Sequence, residues 1–335
     1  MNRKTLITVL KLLVVFTAIF WLSKSVDVAG VGRVLAQTHF GFLMGALLLG
    51  VIPVFISGFR SHTLLKVLNI PLSVFNLTCI AQIGQFFAVL VPGIVGDDGA
   101  RFFYLSKLTP GRVRQACSTV LLDRVLGFAS LFILTTICIP LNWEVLARQK
   151  TTLWVAVSFL SVGAVVLTLG AIAMALSQTT LQSLLRFFQQ RFKDSPLVQD
   201  LAEITSAFIG NKRSLCVVMA AALFTQTLIC ALFWSVGRAV GISLPLWSWM
   251  SFVPVMVVSG ILPITFAGIG VRDYLLFLFL GAAAGGAIEK ERIAALSLLL
   301  LLLTFQGATL GGLVYLLFKP ASVTVPPLET VTTDS

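Results

Sequence analysis

Charged side chains are scarce in this sequence: they make up 11% of its 335 residues, where a soluble domain carries about 25%. That deficit excludes an ordinary water-facing surface. Histidine is nearly missing, with only His39 and His62, and neither has a neighbouring set of ligands. The five cysteines, at 79, 117, 138, 216 and 230, are scattered through apolar runs without metal-ligand spacing, so they read as small buried hydrophobes. No metal and no other cofactor is expected from such a set. A catalytic triad, a P-loop and a carboxylate pair beside a nucleophile are also missing from the pattern.

What fills the chain is apolar residue, 58% of it, with a mean hydropathy of +1.00. Ile7–Leu22, Phe42–Phe59, Ala116–Pro140, Leu153–Leu176, Leu215–Val236 and Ile293–Phe318 each approach or exceed the roughly 20 residues that cross a bilayer. Uninterrupted apolar runs suit helices, which close their own hydrogen bonds in lipid. The expected fold is therefore all-α, a polytopic membrane helical bundle. The first run could pass for a signal peptide, but Phe20 and Trp21 stand where small residues would precede cleavage, so it reads as an uncleaved span.

The formal charge of +11 would suggest nucleic acid in a soluble domain. Here lysine and arginine set topology instead. Residues 1–5, 60–115, 177–213 and the tail hold fourteen basic residues, against seven in 24–40, 141–152, 237–246 and 288–292. The richer set should face the cytoplasm, with both termini there, in a multi-pass inner-membrane protein. No nucleic acid partner is expected.

Two apolar regions, Leu72–Val91 and Trp247–Leu280, are broken by glycine, proline and polar residues. If Leu72–Val91 crossed the membrane, Arg101, Lys107, Arg112 and Arg114 would land outside. A re-entrant hairpin that breaks near Pro92-Gly93 removes the conflict, and irregular backbone at that depth needs a cover of protein or a water-filled cavity. The second region repeats the pattern. Pro92, Gly99 and Arg101 superpose on Pro263, Gly270 and Arg272, both as Pro-x6-Gly-x-Arg. Three crossings, 116–140, 153–176 and 215–236, separate the motifs, so the second half would meet the membrane inverted. Interrupted segments at corresponding positions of two halves, about 1–140 and 153–318, point to a transporter built from inverted repeats.

Arg101 and Arg272 are the first candidates for binding substrate, because guanidinium forks hold phosphate bidentately; anchoring at the interface by snorkelling is the alternative. Gly93, Gly96, Gly99, Gly268 and Gly270 would let backbone approach a headgroup, and half-helix N-termini add donors for an anion. Asp97 and Asp98 offer partners to Arg101, Asp97 being four residues away, and Asp273 adjoins Arg272. Asp123 and Arg124 fall inside a span, where an unpaired charge costs at least ~2.5–3.5 kcal/mol. Neighbours on a helix point about 100° apart, so these two need not pair with each other, and Arg124 has the aspartates of the first hairpin as possible partners.

Gly307–Gly311 and Gly281–Gly285 have GxxxG spacing for close helix packing. Leu181, Leu184, Leu185, Phe188 and Phe192 recur on one face beside basic residues, as in a helix lying on the membrane surface. Residues 319–335 are polar and proline-containing, a pattern expected of a disordered tail.

"PGIVGDDGARFFYL" and "LPITFAGIGVRDYLLF" resemble the two motifs of the lysylphosphatidylglycerol synthase transmembrane-region family, the flippase-like domain. "LLDRVLG", Leu121 to Gly127, resembles that family's acidic-Arg element between them. The resemblance covers about residues 5–318. It implies that Pro92, Gly93, Gly96, Asp98 and Arg101, and Pro263, Gly268, Gly270 and Arg272, hold the family positions. Asp97 replaces a glycine of the pattern and Asp273 a glutamate, which bears on headgroup preference. The chain stops about seventeen residues after its last span, so the resemblance implies the translocating part without an aminoacyl-transferase domain.

The leading expectation is a lipid flippase or transporter that moves an anionic or isoprenoid-linked lipid, such as a polyprenyl phosphate, between leaflets. Two alternatives stand beside it. One is a non-catalytic partner of a lipid-synthesis enzyme. The other is a membrane-embedded lipid-modifying transferase, with Asp97, Asp98 and Asp123 around a divalent metal.

Overall fold

The computed structural model describes residues 28–91, 94–147, 149–175, 210–261, 270–283 and 288–318, together with 180, 183, 187, 207 and 208. The first apolar run, the Pro92-Gly93 break, Pro263, the expected surface helix and the polar tail lie outside the described residues.

Among the described residues the chain is helical throughout, with no strand. A short helix α1 (Val28–Ala36) leads into α2 (Phe40–Val67), α3 (Val74–Leu90), α4 (Ile94–Leu108) and α5 (Val113–Cys138). A 3-10 turn (Pro140–Asn142) and a single-turn helix, α6 (Trp143–Leu146), precede α7 (Lys150–Ala175). Then come α8 (Lys212–Ala239), α9 (Leu246–Ile261), α10 (Val271–Ala283) and α11 (Lys290–Leu317). Five helices are long and apolar enough to cross a membrane: α2, α5, α7, α8 and α11. They coincide with five of the six runs expected from hydropathy, because a closed helical ladder is the one way such a run satisfies its backbone in lipid. This is a multi-span membrane bundle.

The two interrupted regions each yield a pair of short helices. α3 and α4 have 17 and 15 residues, α9 and α10 have 16 and 13. At 1.5 Å per residue these are about 20–25 Å long, short of the ~30 Å hydrocarbon core. Ser73 caps α3 by accepting from the Asn76 amide at 3.2 Å. At the other end Val91 turns to extended backbone (φ −115°, ψ 112°) and stops the helix. Before α10, Gly270 has φ +100°, a conformation only glycine adopts without strain.

The two halves share a pattern of neighbours. α2 touches α3 and α5, and α4 touches α3 and α5; likewise α8 touches α9 and α11, and α10 touches α9 and α11. Between the halves α2 packs on α8, α3 on α11, and α9 on α5. The larger apolar core centres on the fully buried Trp249, and a second joins the end of α2 with α3, α4 and the start of α5. Outward faces carry Phe55, Leu302, Leu316 and Leu317, all exposed, as lipid contact requires.

Close approaches rest on small residues. A Cβ at Gly311 would strike the Gln82 carbonyl and Phe86 of α3, and one at Gly307 would lie 2.7 Å from Gln85 Oε1. The Gly307–Gly311 pair therefore does seat α11 on α3. The second expected pair differs: Gly281 faces open space, so it makes no such contact, and Gly285 lies outside the described residues. Three of the five cysteines are buried as expected, but Cys117 is half-buried and Cys216 is exposed on α8. Arg60 also departs from expectation. It sits within α2, 6% exposed, because the helix runs seven residues past it to Val67.

Candidate functional site

The candidate charges gather in two clusters. In the first, α2, α4 and α5 meet. Arg101 Nε donates to Asp97 Oδ1 at 2.9 Å, one helical turn back, and its Nη1 donates to Ser57 Oγ of α2 at 3.2 Å. Arg124 of α5 reaches across to both aspartates of α4. Its Nε and Nη2 donate to Asp98 Oδ1 at 2.9 and 2.6 Å, and Nη2 also donates to Asp97 Oδ2. Asp123 points elsewhere, as the helical angle requires, and accepts from Arg60 Nη2 at 2.5 Å. Arg60 Nη2 further donates to the Asp123 carbonyl at 3.2 Å.

Three arginines thus face three aspartates, and the cluster is neutral as a whole. That balance is what permits it in an apolar bundle, since a buried charge without a partner is strongly destabilising. Sequence reasoning found five of these six charges but missed Arg60, which sits one residue past an apolar run and reads there as the start of a connector. Without Arg60 and Arg101 the segments expected to face the cytoplasm still hold twelve basic residues against seven. The three carboxylates that a metal site would draw on each hold a guanidinium instead. Among the described residues no three His, Cys, Asp or Glu side chains stand as a metal-holding group.

Glycines shape this cluster. A Cβ at Gly84 of α3 would strike the Asp97 carboxylate, so Gly84 makes room for it. A Cβ at Gly96 would strike the Phe87 carbonyl, which fixes α4 tightly on α3. Gly99 faces open space, and together Gly96 and Gly99 border an apolar groove with Phe103 and Tyr315.

The second cluster lies at the start of α10. The Gly270 amide donates to Asp273 Oδ2 at 3.1 Å, the reach of an acid at the third helical position back to the capping residue. The other carboxylate oxygen accepts from Ser297 Oγ of α11 at 2.5 Å and from Arg272 Nε and Nη2 at 3.3 and 3.2 Å. Arg272 Nη2 also donates to the Ser297 carbonyl at 3.4 Å. Arg272 is 8% exposed. Gly93 and Gly268 lie outside the described residues.

Arg272 borders a cavity of about 400 Å³ bounded by α2, α3, α8 and α11, within the range of small-molecule sites. Its walls are mostly apolar, but Gln82, Gln85, Thr304 and Gln306 face it. Gln82 Nε2 is held by the Gly307 carbonyl at 2.8 Å. Arg101 does not line this cavity, so the two arginines of the repeated motif occupy separate places. α3 is common to both: Gly84 abuts Asp97, while Gln82 and Gln85 face the cavity. No sequence signal marked the glutamines, because a lone amide within an apolar run has no motif.

An all-helical multi-span bundle with neutralised charges and a cavity between its helices that holds an arginine and three amides defines a polytopic membrane protein. The family model described as Lysylphosphatidylglycerol synthase TM region matches residues 8–312, and the chain belongs to that family. No curated protein matches it.

Proposed function

We propose that the chain is a lipid translocator of the inner membrane, moving an anionic or isoprenoid-linked lipid between leaflets. The headgroup passes through the cavity beside Arg272 while the acyl or prenyl tails remain in the bilayer. One observation carries this reading: a cavity of about 400 Å³ between the helices that combines an arginine with three glutamine amides, in a bundle whose exterior is apolar. An arginine at the membrane interior is a functional candidate by default, since its burial is costly.

The halves support the mechanism. We read α2–α5 and α8–α11 as inverted repeats, with α3–α4 and α9–α10 as the re-entrant hairpins, because the same neighbour pairs recur in each half. Rocking of one half against the other is what such repeats commonly support. The neutral cluster of Arg60, Arg101, Arg124 and the three aspartates then ties the first hairpin to α2 and α5. Arg124, whose side chain is 33% exposed, is its most accessible cation and a second contact for phosphate.

The test is leaflet-resolved movement of labelled phosphatidylglycerol and a labelled polyprenyl phosphate in proteoliposomes. The expected result is protein-dependent exposure of lipid from the inner leaflet with no change in lipid mass. A change in mass would support a transferase instead. Rates equal to those of protein-free vesicles would overturn translocation of these lipids and favour the partner role.

A further inference from the structure

The cavity is chemically lopsided. Its one charged group is the Arg272 guanidinium, and no carboxylate lines it. Asp273 accepts from Arg272, Gly270 and Ser297 and does not border the space. Its polar lining is otherwise neutral: Gln82, Gln85, Gln306 and Thr304. The Gln82 amide nitrogen is committed to the Gly307 carbonyl, which leaves its oxygen to accept. Gln85 and Gln306 make no side-chain hydrogen bond within the described chain, and Arg272 Nη1 makes none either. Half-buried amides in an apolar bundle normally find partners, so these donors and acceptors are set for something that enters.

We propose that this cavity selects a lipid headgroup with one phosphodiester anion and an uncharged, hydroxyl-rich remainder, and rejects headgroups that carry an ammonium. The proposal rests on the translocator reading and names its substrate class. The phosphate sits on the free edge of Arg272, which presents a fork rather than a point charge. Hydroxyls of the remainder exchange hydrogen bonds with the glutamines, each amide offering both donors and acceptors. An ammonium finds no carboxylate on the cavity wall to neutralise it, because Asp273 is already held by Arg272, Gly270 and Ser297. The apolar remainder of the wall, with Val89, Leu303 and Leu310, favours a lipid over a free polyol phosphate.

The test is equilibrium binding to the full-length protein in detergent. The probes are short-chain phosphatidylglycerol, phosphatidylethanolamine, lysyl-phosphatidylglycerol and the soluble glycerophosphoglycerol. The expected order has phosphatidylglycerol at least about tenfold tighter than either ammonium-bearing lipid, and the soluble headgroup weaker than its lipid. Gln306→Leu and Gln85→Leu should each erase most of that preference while the melting temperature without lipid stays the same or rises. Equal affinities, or tighter binding of an ammonium lipid, would overturn the selectivity. Soluble headgroup binding as tight as the lipid would overturn the lipid source. Because binding is read without transport, a protein that shows the expected order but moves no lipid defeats the translocator reading alone.

Discussion

Arg60 and Asp123 illustrate what a single pair does in lipid. Both are buried, at 7% and 10% side-chain exposure, and 2.5 Å apart. Removing one leaves the other charged and alone, which costs about 3–5 kcal/mol. Arg60→Ala should therefore lower the melting temperature in detergent sharply, whereas Arg60→Met combined with Asp123→Leu should recover most of the loss. A double change no milder than the single one would show that the pair is not the source. Arg272 is likewise paired, with Asp273 at 3.2 Å, but it also borders a cavity. Arg272→Ala should abolish anion-dependent binding, and Arg272→Lys should retain part of it, since a point charge replaces the fork. At this scale the sequence was informative where charge or spacing marks a residue. Asp97 and Arg101 stand four apart and do pair, and Arg124 does reach the aspartates of the first hairpin. It was silent on Ser297 and the glutamines, whose roles exist only once α3, α10 and α11 come together.

Among the elements, α3 and α11 carry the most specific packing. Gly311 lies against the backbone of Gln82 and Phe86, so a side chain there must part the helices. Gly311→Leu should destabilise the protein by at least about 1–3 kcal/mol through overpacking and widen the cavity wall at Gln82. Gly99→Ala is the contrast. Nothing lies within 4 Å of its Cβ, and alanine is the better helix former by about 0.5–1 kcal/mol, so stability should hold or rise slightly. Paired thermal melts check both. The long spans were legible because twenty apolar residues admit one structure. Helix ends were less so: α2 continues from Phe59 to Val67, through polar residues that hydropathy assigns to a connector. Arg60 and His62 stay helical there because backbone bonding continues where the Asp123 and Leu72 contacts cover the side chains, and the exposed Lys66 lies in the last turn.

For the whole molecule, the shared neighbour pattern of α2–α5 and α8–α11 is the feature on which the proposed translocation mechanism rests. If both short-helix pairs re-enter, Ser73 and Ser106 open to one side of the membrane, and Ser243 and Glu289 to the other. Single cysteines at these positions, with the native cysteines replaced by alanine, should label accordingly with an impermeant maleimide: the first two from the cytoplasm, the second two from outside. Labelling of Ser73→Cys and Ser106→Cys from opposite sides would mean that the first pair crosses. The matched Pro-x6-Gly-x-Arg breaks marked the two places where the sequence leads to short helices rather than long spans. What they did not reveal is that Arg101 is absorbed in an ion-pair network while Arg272 faces a cavity, since identical spacing says nothing about which neighbour fills the space beyond the helix. The most direct measurement is leaflet-resolved movement of labelled phosphatidylglycerol in proteoliposomes, wild type against Arg272→Ala at equal, verified incorporation. Protein-dependent movement is expected in the wild type, with a fall of at least about tenfold in the variant. Movement at an undiminished rate in Arg272→Ala would contradict a headgroup path through this cavity.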